Sequence, residues 1–199
     1  RKRKYKPFII RAFSIKLLQK EKNMTTRDFT EMAIMIALTA VLEIIFTNAN
    51  IAIFPNGGSI SISMLPIVIL TLRRGFKVGL VAGIVFGVFQ FILPLSVYYL
   101  TPVQYAFDYV LPYIALSAIA LVKEMNIKGI TVGIIVVGLL KYASHVIAGI
   151  AFWGEYAPEG FNAVSWSLYY NATYSVPSII ITAIVLVVMI AKYPRLLKA

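Results

Sequence analysis

The sequence predicts an all-α integral membrane protein: six transmembrane helices in one compact bundle, with the N- and C-termini cytoplasmic. Three observations predict it. Hydrophobic residues make up 60% of the chain and charged residues only 14%, where a soluble domain carries about a quarter charged. The mean hydropathy is +0.83. Of nineteen Lys and Arg, all but Lys141 lie in the two tails or in short connections that fall on one side of the apolar spans. Alternation of basic and Lys/Arg-free connections is the pattern of loops sorted by the positive-inside rule.

The elements follow in order. Crossing the hydrocarbon core takes about 20 apolar residues in a helix. Residues 30–47 form the first candidate, preceded by Thr and Asp residues suited to capping. Pro55-Asn56-Gly57-Gly58 marks an outer turn. Residues 60–72 are apolar but short, so the second helix is expected to be tilted, irregular or shielded by its neighbours. Arg73-Arg74-Gly75-Phe76-Lys77 is an inner turn. The third helix, about 78–94, carries Gly79, Gly83 and Gly87 at a four-residue period, a spacing that lets helices approach closely in a bilayer. A fourth helix is expected at about 102–122, a fifth at 129–150 and a sixth at 165–191. The loop 151–163 joins the last two on the outside. Residues 24–194 thus form one membrane domain and 195–199 a short cytoplasmic tail.

Residues 1–23 are a basic extension without a continuous apolar h-region, because Arg11 and Lys16 interrupt it. They fit a basic amphipathic helix on the inner leaflet, or a dispensable stretch ahead of a start at Met24. The net charge of +11 does not point to nucleic acid, since the basic groups flank apolar spans and no basic domain is left to bind it. They instead face the headgroups of the lipid bilayer, each attraction contributing about 1 kcal/mol. With no Cys and one His, neither a disulfide framework nor a multi-histidine or thiolate metal site is expected. No Ser–His–Asp order at plausible spacing, no carboxylate pair within one motif and no phosphate-binding Gly–Lys loop is present. No catalytic residue and no cofactor is therefore assigned.

The informative residues break the apolar rule, because an ionisable side chain at membrane depth is costly. Asp108 sits among aromatics in Thr101-Pro-Val-Gln-Tyr-Ala-Phe-Asp108-Tyr109. A carboxylate there suits an organic cation, with ring faces adding about 0.5–2 kcal/mol each; the same residue also fits a structural bridge to Lys141. His145 lies four residues after Lys141 on the same helical face, placed for a ligand ring or for the core. Trp153, Glu155, Tyr156, Trp166, Tyr169, Tyr170 and Asn171 gather on the outer side. An interfacial aromatic belt explains Tyr98 and Tyr99. It explains less well a cluster that joins aromatics to Asn171 and Asp108, which looks like a cage for a flat, cationic, water-soluble molecule. Glu43, Tyr105 and Tyr156 are subsidiary candidates for that cage. Ala33 and Ala37, with Ala40 nearby, form a small-residue patch that fits either internal packing or the docking of another membrane helix.

From about Thr30 to Pro177 the chain resembles the thiamine-specific substrate-binding subunits, or S components, of bacterial energy-coupling-factor (ECF) vitamin transporters. Three stretches carry the resemblance: Gly57-Gly58-Ser59 through Pro66 to Leu72-Arg-Arg-Gly-Phe-Lys77; Thr101-Pro102 through Asp108-Tyr109; and His145 to Asn171, including Tyr156-Ala-Pro-Glu-Gly160 and Ser167-Leu-Tyr-Tyr-Asn171. The resemblance implies a multi-pass protein of the bacterial cell membrane that captures extracellular thiamine. Its implied partners are a transmembrane coupling subunit and two cytoplasmic ATPase subunits, which hydrolyse the ATP. It implies Asp108 facing the thiazolium charge, His145 and Trp153 stacking on rings, and Tyr109 and Gly149 near the hydroxyethyl arm. Asn171 would make a polar contact, and Trp166 stands where some members have Tyr. Ala33 and Ala37 match the pattern that packs on the coupling subunit. Three rivals are an S component for another flat heterocyclic vitamin, a proton-coupled secondary transporter using Asp108, Lys141 and His145, and a membrane-embedded enzyme. Against the second stand the lack of inverted repeats and of matching broken helices.

Overall fold

The computed structural model describes residues 23–49, 58–94, 97–122 and 125–197. The basic extension 1–22, the Pro55-Asn56-Gly57 turn and Lys123 lie outside the described residues. Within them the chain is helical, with no strand. Helix α1 spans Thr26–Asn48, α2 Leu65–Arg74, α3 Phe76–Phe89 with a 3-10 turn to Ile92, α4 Pro102–Leu121, α5 Ile127–Phe152 and α6 Ala163–Lys192. Of these six, α1, α4, α5 and α6 are long and apolar enough to cross a membrane, while α2 and α3 are shorter.

The helix starts are set by caps. Thr25 accepts from the Asp28 amide while the Asp28 carboxylate accepts from the Thr25 N–H at 2.8 Å, so α1 starts four residues earlier than its apolar run. Asn126 caps α5 through Gly129, and Asn162 forms a capping box with Ser165 on α6. Gly75 ends α2 at φ +87°, a backbone region that costs a side chain strain, which is why the Arg73-Arg74 turn closes on glycine.

Helix α2 is short because residues 58–64 arrive non-helically, with Ser61, Ser63 and Met64 buried, as an unpaired backbone in a bilayer must be shielded. Ser61 N–H donates to Ser178 Oγ on α6, and Ser63 N–H to Ser61 Oγ, both at 2.9 Å. All of Leu65 to Thr71 is then buried. The core is built on Ile67, Val68, Phe86, Leu116, Ile119, Ile130, Ile134 and Leu186.

The glycine row of α3 divides its contacts. A Cβ on Gly79 would meet Thr71 of α2, whereas on Gly83 and Gly87 it would lie 2.5 Å from the Tyr113 carbonyl oxygen and 2.7 Å from Val110 Cα. Helix α3 therefore lies backbone-close to α4. Helix α4 is not one regular helix. Pro102–Tyr105 is α-helical, Ala106–Val110 is a π turn, Leu111–Ala115 returns to α and Leu116–Leu121 is 3-10. Pro112 supplies no N–H for the Asp108 carbonyl four residues back, which accounts for the break in the ladder. The wider turn is closed instead by Leu111 N–H on the Ala106 carbonyl.

At the opposite end of the bundle from the α3–α4 connection, Glu31 of α1 pairs with both Arg73 and Arg74, and Asp28 lies 3.4 Å from Arg74. Arg73 also donates to the Leu196 carbonyl in the 3-10 turn Pro194–Leu197. The start of α1, the α2–α3 turn and the end of the chain thus meet at one end of the molecule.

Candidate functional site

A cavity of about 590 Å³ opens at the other end, between the C-terminal halves of α1 and α5, the first half of α4 and the N-terminal half of α6. That volume falls in the range of about 300–1,000 Å³ usual for small-molecule sites. Its wall includes Glu43, Gln90, Tyr98, Asp108, Tyr109, Tyr113, Lys141, His145, Gly149, Trp153, Tyr156, Trp166, Tyr170, Asn171 and Tyr174.

Asp108 lies in the π turn of α4. Its Oδ2 accepts from Gln104 Nε2 at 2.5 Å and from Trp153 Nε1 at 3.1 Å. Its Oδ1 faces His145 Nδ1 at 3.7 Å, beyond hydrogen-bond reach. The irregular backbone that carries Asp108 is held by side chains of neighbouring helices: Ser144 Oγ donates to the Phe107 carbonyl at 2.7 Å, and Gln90 Nε2 to that of Tyr109 at 3.1 Å. No bridge between Asp108 and Lys141 appears among the described ion pairs. Lys141 Nζ lies 3.4 Å from His145 Nε2 and 4.5 Å from the centre of the Tyr113 ring. Glu43 accepts from Tyr113 Oη at 2.9 Å, and that hydroxyl also meets Ser63 Oγ at 3.3 Å. Glu43 therefore meets the hydroxyl and Lys141 the ring face of one tyrosine, and no ion pair joins the two among the described residues.

The aromatic wall has two groups of rings. Trp153 stands edge-on to Tyr98 at 6.3 Å and tilted against Tyr156 at 5.9 Å, and Trp166 lies 5.6 Å from Tyr170. Asn171 is buried; its Nδ2 donates to Ser167 O and Oγ, and its Oδ1 accepts from Tyr174 Oη. Gly149 is where α5 meets α6, since a Cβ there would fall 2.1 Å from Ser167 Oγ.

Two sequence candidates fall elsewhere. Tyr169 is half exposed and stacks on Phe161 at 5.8 Å, outside the cavity wall. Tyr105 turns outward, donating to the Gly87 carbonyl at 2.9 Å and lining an apolar groove with Phe91 and Val110. Tyr105 nonetheless stacks on Tyr109 of the cavity wall at 4.8 Å, and Tyr169 lies beside Tyr170, which lines it. Sequence reasoning missed Gln90, Gln104 and Ser144, the polar residues that position the π turn. Pro112 inside an apolar span was the available signal for that irregularity. The alanine patch also divides: Ala40 is in the core, whereas Ala33 and Ala37 are exposed on the outer face of α1 beside Ile34, Leu38 and Val41.

A polytopic helical membrane protein with a polar, aromatic-walled cavity between its helix ends is the class that this fold and site define. A family model described as thiamine transporter protein matches residues 29–198. The thiamine transporter ThiT of Bacillus subtilis is 37% identical over 181 residues, covering 85% of this chain and 93% of that protein. ThiT of Lacticaseibacillus paracasei is 31% identical over 152 residues, 68% of this chain and 75% of the relative. The solved structure of ThiT from Listeria monocytogenes superposes with a TM-score of 0.76 at 24% identity, covering 86% of this chain and 97% of that one, and so shares the fold. The chain belongs to the thiamine transporter family. It is a multi-pass bacterial membrane protein of a transport family, not an enzymatic one.

Proposed function

We propose that this chain is the thiamine-capturing S component of an ATP-driven ECF importer. It takes thiamine from outside into the cavity around Asp108 and works with a transmembrane coupling subunit and two cytoplasmic ATPases. The observation that carries the reading is the Asp108 carboxylate, which borders a cavity walled by rings and meets no Lys or Arg among the described ion pairs. A cation lodged there gains the carboxylate and the faces of neighbouring aromatics together. In this reading His145 and Trp153 flank the rings of thiamine, and Tyr109, Gly149, Trp166 and Asn171 complete the contacts. Glu43 and Tyr156 border the same space, while Tyr105 and Tyr169 are set aside because both lie off the cavity wall.

Two features support the energy-coupling part. Within the described residues, no nucleotide-binding Gly–Lys loop occurs, so ATP chemistry belongs to partners. The exposed Ala33–Ala37 face gives a second membrane helix a surface of small residues. Residues 24–194 form the binding domain, with both termini inside. The deciding experiment is calorimetry of the purified chain against thiamine, pyrithiamine, riboflavin and biotin. Thiamine binding with riboflavin and biotin silent is the expected result; a riboflavin or biotin response without thiamine overturns the choice of vitamin.

One observation favours a second reading: Lys141, His145 and Asp108 stand in a row inside the bundle, as a proton path requires. Uptake by this chain alone, driven by a pH gradient in vesicles, supports proton coupling. Uptake that appears only with the coupling subunit and ATPases supports the S-component reading.

A further inference from the structure

Gln104 is fully buried in α4, alongside Pro112, Tyr113, Leu116, Ser117 and Ile119, and every polar atom of its side chain is engaged. Oε1 accepts from Leu100 N–H at 3.1 Å, and Nε2 donates both to the Tyr98 carbonyl at 3.1 Å and to Asp108 Oδ2. Two acceptors on one side and a donor on the other leave the amide one orientation. Tyr109 adds a second tie, its hydroxyl accepting from Tyr98 N–H at 3.0 Å. Residues 98–100 therefore form a strap at the cavity mouth, held by the residues four before and one after the carboxylate. The Tyr98 ring leans edge-on against Trp153, which is itself the other donor to Oδ2.

We propose that Gln104 is a positioning residue that sets the preference of the site for a positively charged ligand. By occupying Oδ2 it turns Oδ1 to the cavity, and it locks that orientation to the strap lining the mouth. The inference rests on the reading of Asp108 as the counter-ion of thiamine. Gln104 touches no ligand in this account and acts through Asp108 and Tyr98.

The test compares two ligands of one shape: thiamine and its uncharged thiophene isostere, in which the thiazolium nitrogen is replaced by carbon. Each is titrated into the unaltered chain, Gln104→Met, Asp108→Asn and the double variant. Gln104→Met keeps length and volume but makes none of the three hydrogen bonds. It is expected to weaken thiamine about tenfold while changing the isostere by less than about threefold, since only the charged ligand depends on the carboxylate's aim. In the Asp108→Asn background the same change is expected to leave the ratio of the two affinities where Asp108→Asn alone puts it. Equal weakening of both ligands, or loss of both, assigns Gln104 to the fold alone and overturns the proposal. So does a further fall in the ratio in the double variant. If the unaltered chain does not bind thiamine, or Asp108→Asn leaves the ratio unchanged, the counter-ion reading itself fails and takes this inference with it.

Discussion

At Asp108 one oxygen is anchored by Gln104 and Trp153 and the other is turned toward His145 and the open cavity, so the charge is presented in a fixed direction. Asp108→Asn keeps the shape and removes the charge, and its amide oxygen can still accept from both donors. Thiamine affinity is expected to fall by about 1–3 kcal/mol, as for a partly desolvated ion pair that loses one partner. Unchanged affinity by calorimetry would remove the counter-ion role. The chain has only two tryptophans, and both border the cavity, so intrinsic fluorescence reports on it. Trp153→Ala is expected to abolish the ligand-dependent change in that signal and to weaken binding; an intact signal would assign it to Trp166. That Asp108, His145 and Trp153 would border one cavity was legible in the sequence, because each is an ionisable group or a large polar ring in an apolar context. Gln104, Gln90 and Ser144 were not, since amides and hydroxyls inside helices ordinarily bond to nearby carbonyls and carry no pattern of their own.

Helix α3 owes its place to the Gly79, Gly83, Gly87 row, which the four-residue period announced before any partner was known. What the period did not reveal was that the row serves two partners, α2 at Gly79 and α4 at Gly83 and Gly87. Gly83→Val puts carbon against the backbone carbonyl of Tyr113, which cannot move aside as a side-chain tip would. The thermal unfolding midpoint in detergent is expected to fall, for a cost of about 1–3 kcal/mol of overpacking; an unchanged midpoint would show that α3 and α4 separate readily. Helix boundaries were less legible than helix existence. The α1 start moved to Thr26 because a capping box outweighs hydropathy, and α2 shrank because Ser178 of α6, distant in sequence, satisfies the backbone ahead of it. On α1, Ala37→Trp is expected to leave thiamine binding intact and abolish co-purification with the proposed coupling subunit, since Ala37 lies on the exposed face while Ala40 packs inside. Loss of binding itself would mean that the exposed face supports the cavity.

Across the whole molecule the two ends differ in chemistry. One gathers Asp28, Glu31, Arg73, Arg74 and the Pro194–Leu197 turn; the other holds the cavity and its rings. In the proposed orientation the basic connections put the first end in the cytoplasm, because translocating Lys and Arg is disfavoured. In that orientation the cavity would face outward, as capture of an external solute requires. The absence of cysteine makes this orientation directly measurable, because a single introduced thiol has no background. Lys77 in the first turn of α3 and Glu159 in the connection between α5 and α6 are both exposed. A membrane-impermeant maleimide applied to intact cells is expected to label Glu159→Cys, and to label Lys77→Cys only after permeabilisation. The opposite labelling would place the cavity toward the cytoplasm. Thiamine would then have to be drawn from inside, and an importer built on this chain would be excluded.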